Sequence, residues 1–208
     1  MAVSYKIEEV NSDTFQPMKG MCFLDVKEGS KTKMVSGEFE FLLRTDYDPY
    51  ATHSCVQNGV ITHLPADLPE LYKELKVGDM VYTTHHLINE KNAILLNGRK
   101  LRSMHYEDIY VIDRGGELIS VGKWSLLEPA YEDDSQWKTA SGLMLKAAPS
   151  KLKRHGIAFT CSPQLKEDGV QKGDMLNLRK NSEYEIEING KLYYNVHDND
   201  VLAIIEKS

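Results

Sequence analysis

The chain contains an internal repeat, and this repeat limits what it can fold into. Residues 78–80 and 173–175 both read Gly-Asp-Met, at an offset of 95 residues. Two further matches follow in the same order at an offset of 92: residues 97–101 with 189–192, and residues 108–112 with 200–204. Ordered matches at a nearly constant offset predict two copies of one structural unit. The alternative is a single large β protein in which the Gly-Asp-Met turns recur by accident.

Weaker matches extend the repeat upstream. Residues 59–62 (Gly-Val-Ile-Thr) lie opposite residues 156–159 (Gly-Ile-Ala-Phe), and residues 21–25 lie opposite residues 124–128. We therefore expect an N-terminal domain at residues 1–113 and a C-terminal domain at residues 117–208. The intervening Gly-Gly pair favours a flexible link.

Both copies show the sequence pattern of short β-strands. Residues 183–188 alternate acidic and apolar side chains, as a half-buried strand does. Asn97-Gly98 and Asn189-Gly190 predict type I′ hairpin turns, because that turn needs positive φ at both central positions. Helical spacing occurs once, at residues 68–75. The sequence thus predicts an all-β fold, a barrel or a sandwich, with one short helix.

Composition excludes several classes of protein. A net charge of −6 argues against nucleic-acid binding, and the cluster at residues 151–154 (Lys-Leu-Lys-Arg) is interpreted as a solvated loop. No apolar run approaches the ~20 residues of a membrane helix, and residues 1–9 lack the features of a targeting peptide. Cys22, Cys55 and Cys161 form no CxxC pair and are interpreted as small core residues in a reducing cytoplasm.

The sequence shows no signature of catalysis or metal binding. His85 and His86 are adjacent, so in a strand they point to opposite faces, and the other five histidines lack metal-ligand spacing. No nucleophile-elbow, Walker or dinucleotide-binding motif occurs. We therefore predict no catalytic residues, no metal site and no enzymatic activity.

The C-terminal copy carries two motifs that match one known family. Residues 170–176 (Val-Gln-Lys-Gly-Asp-Met-Leu) are similar to a Val-Lys-x-Gly-Asp-x-Val turn and strand, and residues 198–206 are similar to the ending Glu-Ser-Asp-Ile-Leu-Ala-Ile-x-Glu. Both motifs are those of the GroES co-chaperonins, which the C-terminal copy resembles over nearly its whole length. The resemblance implies two tandem GroES-like, partly open β-barrels, each with a long mobile loop. A fused pair of this kind is similar to the tandem co-chaperonins of plastids or to a divergent bacterial or phage version.

Residues 138–145 (Lys-Thr-Ala-Ser-Gly-Leu-Met-Leu) resemble the family's mobile loop, Lys-x-Ala-Gly-Gly-Ile-Val-Leu. The resemblance implies that Gly142 is the second glycine of the loop. It also implies that Leu143, Met144 and Leu145 are the apolar tripeptide that docks on a large chaperonin. Taken alone, an apolar triplet in a β protein is more often a buried strand.

The N-terminal copy resembles the family less closely. Residues 16–24 are similar to the family's opening segment, but the loop at residues 27–54 is longer and lacks the Gly-Gly-Ile-Val-Leu string. The part of this loop most similar to that string is residues 36–43, which contain Phe39, Phe41, Leu42 and Leu43. These residues either anchor a partner, as a second chaperonin-binding loop, or form an ordinary strand packed on the barrel.

The function implied by the resemblance is that of a co-chaperonin. Such a protein caps the ring of a GroEL-type, ATP-dependent large chaperonin, assists protein folding and assembles into a ring itself. It has no cofactor of its own, because the partner chaperonin binds the ATP, and it contacts neither nucleic acid nor membrane. The expected location is the cytoplasm, or the plastid stroma if a transit peptide has been removed. The alternative is a structural or adaptor protein, for instance viral, that reuses the barrel without acting as a lid.

Overall fold

The fold is all-β, as the sequence predicts, and divides into two compact units, Met1–Lys123 and Trp124–Ser208. The computed structural model describes residues 8–26, 33–36, 39–42, 58–84, 93–132, 136–138, 144–146 and 151–206. No helix in that part of the chain has the length and apolarity needed to cross a membrane.

The first unit is built on one eight-stranded sheet with the order β1-β7-β8-β2-β5-β6-β9-β10. A separate two-stranded hairpin, β3-β4, lies in sequence between β2 and β5. The strands are β1 (Glu8–Val10), β2 (Met21–Asp25), β3 (Lys33–Ser36), β4 (Phe39–Leu42), β5 (Asn58–His63), β6 (Met80–Thr83), β7 (Ala93–Leu96), β8 (Arg99–His105), β9 (Ile109–Arg114) and β10 (Glu117–Ser120).

The second unit is built on a six-stranded sheet with the order β16-β17-β11-β14-β15-β18. A two-stranded hairpin, β12-β13, lies between β11 and β14 in sequence. The strands are β11 (Trp124–Tyr131), β12 (Gln136–Lys138), β13 (Met144–Lys146), β14 (Lys151–Thr160), β15 (Met175–Leu178), β16 (Tyr184–Ile188), β17 (Lys191–His197) and β18 (Val201–Glu206).

The two sheets repeat one topology. The inner six strands of the first sheet, β7-β8-β2-β5-β6-β9, have the same order as the six strands of the second, and neither sheet closes on itself. The first sheet has one extra strand at each edge: β1 runs parallel to β7, and β10 runs antiparallel to β9. The repeat found in the sequence is therefore a repeat of structure.

The repeated Gly-Asp-Met turn forms the same hydrogen bonds in both units. The backbone N–H of Lys76 donates to the Asp79 carboxylate at 2.8 Å, and that of Gln171 donates to Asp174 at 2.9 Å. Gly78 and Gly173 have φ of +96° and +99°, which a residue with a Cβ rarely adopts. These matched bonds and angles explain why the glycine and the aspartate recur.

The hairpin predictions are confirmed. Asn97 and Gly98 have φ of 48° and 76°, and Asn189 and Gly190 have 52° and 77°, so both turns have positive φ at their two central positions. They connect β7 to β8 and β16 to β17.

The predicted boundary between the domains lies inside a hairpin. Gly115 and Gly116, expected to be a flexible link, have φ of 65° and 95° and form a tight turn between β9 and β10. Since β10 pairs with β9, residues 117–120 belong to the sheet of the first unit. The units divide between Lys123 and Trp124, later in the chain than the sequence predicts.

The helix prediction is wrong in length and in the type of helix. Within residues 68–75 only Glu70–Tyr72 is helical, as a single 3-10 turn that buries Tyr72. An α-helix that periodicity does not reveal, α1 (Pro163–Glu167), occurs between β14 and β15. The Ser162 hydroxyl caps it by accepting a hydrogen bond from the Leu165 N–H at 3.1 Å. At five residues, α1 is too short to show helical periodicity.

Each unit has its own core, centred on the inner strands. The first core includes Cys22, Leu24 and Ile61, and the second includes Leu127 and Cys161. Burial raises the pKa of the Cys22 thiol to about 12 and that of Cys161 to about 11. The interpretation of these two cysteines as core residues is confirmed, whereas Cys55 lies outside the described residues.

Candidate functional site

The two hairpins outside the main sheets occupy the same place in the repeat. The hairpin β3-β4 lies between β2 and β5, and β12-β13 lies between their counterparts β11 and β14. Both predicted docking loops therefore leave the sheet between the same two neighbouring strands.

The predicted docking residues are described only in part. Met144 and Leu145 lie in β13, where their backbones pair with Lys138 and Trp137 of β12. Gly142 and Leu143 lie outside the described residues.

In the first unit, Phe39, Phe41 and Leu42 lie in β4, where Phe41 pairs with Met34 of β3. Leu43 lies outside the described residues. Phe39, Phe41 and Leu42 therefore belong to a hairpin that is separate from the main sheet.

An ion pair ties the strand that leads into each loop to the next strand of the sheet. Asp25, at the end of β2, binds Arg99 at 2.8 Å, and Glu128 of β11 binds Lys191 at 2.6 Å. Arg99 and Lys191 follow the two Asn-Gly turns at equivalent positions of the repeat. The hydrogen bond to Glu128 raises the pKa of Lys191.

These ion pairs were not found from the sequence. The signal was present as an acidic residue at the end of each matched segment, residues 21–25 and 124–128, and a basic residue after each Asn-Gly turn. Pairing them requires knowing that β2 lies beside β8, and β11 beside β17.

The loop of the second unit returns to the sheet through a distorted strand. Between Pro129 and Tyr131 of β11 the pairing partner on β14 moves from Gly156 to Lys151, so several residues of β14 bulge out. Arg154, within this bulge, has φ of 62°, and its Nε donates to the carbonyl of Leu178 at 3.0 Å.

Residues 151–154, expected to form a solvated loop, are instead part of this strand. Lys151 binds Glu185 at 2.6 Å, and this hydrogen bond raises the pKa of Lys151. The backbone N–H of Arg154 donates to Glu183 at 2.8 Å. In this cluster the Lys151 side chain is therefore paired with an acidic residue of its own unit at the base of the loop.

Metal ligands do not gather in the part of the chain that the structure describes. No group of three or more His, Cys, Asp or Glu side chains there could hold a metal ion. His85 and His86 lie outside that part.

Comparison with known proteins gives the family. No protein-family model matches the chain. The chain is 32% identical over 80 residues to the co-chaperonin GroES of Streptomyces coelicolor and to that of Streptomyces lividans. Each alignment covers 36% of this chain and 78% of the relative, and the GroES of Streptomyces avermitilis is similar to the same extent. The alignment is shorter than either unit but covers most of each relative. On this similarity, the chain belongs to the GroES co-chaperonin family.

Proposed function

We propose that this chain is a tandem co-chaperonin that caps the ring of a GroEL-type large chaperonin and assists folding. The docking element is the loop between β11 and β14, with Gly142, Leu143, Met144 and Leu145 as its contact residues. The chain itself needs no cofactor, because the partner binds the ATP, and it catalyses no reaction.

The observation that carries the proposal is the similarity to curated GroES proteins over most of their length. The position of the loop supports it. The loop leaves the sheet after Tyr131 and returns at Lys151, and its base is held by the ion pairs of Lys151 and Lys191. We expect an apolar tripeptide carried on such a loop to bind a partner without disturbing the sheet.

The binding energy expected of the loop suits a lid that binds and then dissociates. Burying a Leu or Met side chain contributes about 1.5–3 kcal/mol, so the tripeptide supplies roughly 4–9 kcal/mol per loop. Ordering the backbone costs about 1–2 kcal/mol per residue, which offsets much of that gain. A single loop therefore binds weakly, whereas several loops on one assembly bind tightly through effective concentration.

The test is a deletion of residues 143–145, with binding to a purified GroEL-type chaperonin measured by biolayer interferometry in ATP and without nucleotide. We expect the intact chain to bind in ATP and the deletion to abolish binding. Far-ultraviolet circular dichroism should be unchanged, because the deletion lies outside the main sheets.

A matched control addresses the other hairpin. The variant Phe39→Ser, Phe41→Ser, Leu42→Ser, Leu43→Ser removes a comparable set of apolar side chains from the first unit. If only the 143–145 deletion abolishes binding, the second unit alone docks; if both weaken it, both loops dock. If the intact chain does not bind the chaperonin in ATP, the proposal is contradicted and the structural or adaptor role is favoured.

A further inference from the structure

The docking loop of the second unit is joined to its sheet in a definite register. Tyr131, the last residue of β11, pairs with Lys151, the first residue of β14. Further along the loop, Gln136 of β12 pairs with Lys146 of β13. The step from the first pair to the second is five residues along both strands. The hairpin β12-β13 therefore continues the register in which β11 and β14 end.

The hairpin of the first unit does not share this property. The pairing of β2 with β5 reaches Asp25 and Val60, and the hairpin β3-β4 begins with Lys33 opposite Leu42. The step is eight residues on one side and eighteen on the other. The register of this hairpin is therefore not carried over from the sheet, although the two hairpins occupy the same place in the repeat.

A bulge in β14 brings the second sheet into register with its hairpin. Pro129 pairs with Gly156, and two residues later Tyr131 pairs with Lys151, which lies five residues back along β14. The bulge therefore contains three extra residues. In a regular ladder Tyr131 would lie opposite Arg154 instead. The bulge thus shifts the pairing of everything beyond it by three residues.

A shift of three residues changes how the docking residues are presented. Lys138 pairs with Met144, so Met144 and Leu145 begin the return strand of the hairpin. Without the shift Met144 would lie opposite Ser141, and the tip of the hairpin would move toward the tripeptide. Side chains alternate between faces along a strand, so a shift by an odd number of residues also reverses the faces of one strand relative to the other.

Arg154 holds the bulge in place. Its φ of 62° is a left-handed conformation that a residue with a Cβ rarely adopts. Its backbone N–H donates to the Glu183 carboxylate at 2.8 Å, and its Nε donates to the carbonyl of Leu178 at 3.0 Å. Leu178 belongs to the core, so the second bond ties the bulge to the interior of the unit. At the far end of the bulge, Lys151 binds Glu185 at 2.6 Å.

We propose that the bulge at residues 152–155 sets the register of the docking hairpin, and that Arg154 is a positioning residue for docking on the chaperonin. This inference rests on the proposed function. Arg154 acts through the backbone: it holds the bulge, and the bulge keeps Tyr131 opposite Lys151. A register fixed in advance spares the tripeptide a choice among alternative pairings when it docks, which lowers the entropy cost of binding.

Pairs of cysteines in the full chain measure the register, in a background that carries Cys55→Ser. Gln136→Cys with Lys146→Cys reports the proposed register, because these residues lie opposite each other. Gln136→Cys with Pro149→Cys reports the register of a regular ladder. Under a mild oxidant the first pair should form its disulfide at least tenfold faster, measured by mass spectrometry of the linked peptides. Equal rates, or a faster second pair, overturn the proposal.

Substitutions of Arg154 test the link between the bulge and the register. Arg154→Ala removes the Nε donor and leaves a Cβ on a left-handed backbone, and it should slow the cross-link between positions 136 and 146 at least fivefold. Arg154→Gly also lacks the donor but adopts positive φ readily, so it should regain part of the rate. Arg154→Lys keeps the charge without the Nε donor and should behave like Arg154→Ala. An unchanged rate in Arg154→Ala overturns the proposal.

Docking is measured on the same Arg154 variants without the added cysteines, by biolayer interferometry with a GroEL-type chaperonin in ATP. We expect Arg154→Ala to weaken binding at least tenfold, and Arg154→Gly to lie closer to the unmodified chain. The matched control is Lys153→Ala, which removes an equal charge from an exposed residue of the bulge and neither of the two hydrogen bonds. It should leave binding and cross-linking unchanged. An unchanged circular dichroism spectrum shows that the Arg154 variants are folded.

The failure of this proposal can be told apart from the failure of the proposed function. If the unmodified chain does not bind the chaperonin, the proposed function and the positioning role both fail, while the cross-linking rates still decide whether the bulge sets the register. If the unmodified chain and Arg154→Ala bind equally well, docking does not depend on the bulge. The positioning role is then overturned and the proposed function stands.

Discussion

The buried carboxylate of Asp79 is a sensitive probe of how the first unit is held together. It accepts the Lys76 N–H at 2.8 Å, and it accepts Nε and Nη2 of Arg114 at 2.8 and 2.9 Å. Arg114 lies at the end of β9, next to the turn that leads into β10. The substitution Asp79→Ala therefore removes the bond that shapes the turn before β6 and the ion pair that fixes the β9-β10 hairpin.

The expected loss is about 3 kcal/mol in the free energy of unfolding of the first unit. Removing one partner of a buried ion pair costs about 3–5 kcal/mol, because the remaining charge is left uncompensated. The lower end applies here, since the Arg114 side chain is 27% exposed and also contacts the Glu74 carboxylate at 3.4 Å. The free energy of unfolding falls by about 1–3 kcal/mol per molar urea, so the urea concentration at the unfolding midpoint should fall by about 1–3 M.

The two units can be followed separately in one experiment. Both tryptophans, Trp124 and Trp137, belong to the second unit, so their fluorescence reports its unfolding. Far-ultraviolet circular dichroism reports both units. We expect Asp79→Ala to lower the circular dichroism midpoint and to leave the fluorescence midpoint in place.

The matched variant is Asp174→Ala, which removes the carboxylate that accepts the Gln171 N–H in the second unit. It should lower the fluorescence midpoint instead. The reasoning is refuted if Asp79→Ala leaves the circular dichroism midpoint unchanged, or if it shifts the fluorescence midpoint by the same amount.

Three further perturbations test individual contacts of the fold. Gly156→Ala would place a Cβ 2.9 Å from the Leu127 Cβ, and should lower the free energy of unfolding by about 1–3 kcal/mol in fluorescence-detected urea unfolding. Gly59→Ala, whose added Cβ would have its nearest atoms at 3.2 Å, should destabilise the first unit less. Ser162→Ala removes the cap of α1 and should cost about 1 kcal/mol by the same assay, with Ser162→Thr restoring part of it. Burial raises the pKa of the Cys161 thiol from 9.0 to about 11. The unfolded chain therefore loses the thiol proton at a lower pH than the folded chain, and the free energy of unfolding should fall as pH rises from 9 toward 11. Cys161→Ala should reduce that fall in urea unfolding measured across this pH range.

Local chemistry made the turns and the repeat predictable. Asn97-Gly98 and Asn189-Gly190 specify their turn because few residue pairs tolerate positive φ at both positions. The Gly-Asp-Met turn needs a glycine for its φ and an aspartate for its hydrogen bond. These requirements are met within a few residues, so they are visible in the sequence.

Features that depend on which strands pair were not predictable in the same way. Gly115 and Gly116 suit a flexible link and a tight turn equally, and the presence of β9 beside β10 decides between them. The pairing of Asp25 with Arg99 likewise depends on strand order. The docking residues Gly142 and Leu143 came from a family resemblance, and they stay a prediction because they lie outside the described residues.

The proposed docking loop acts through the number of loops as well as through its own contacts, and this has a measurable consequence. Residues 142–145 alone should bind the chaperonin weakly, because ordering the backbone offsets much of the gain from burying the tripeptide. An assembly presents several loops at once, and linking binding sites strengthens overall affinity by about 10²–10⁴-fold. A synthetic peptide of residues 136–146 should therefore bind the chaperonin about 100-fold more weakly than the intact chain does, although its contact residues are the same. Biolayer interferometry with immobilised chaperonin and ATP measures this, and an equal apparent affinity would show that docking does not depend on the number of loops.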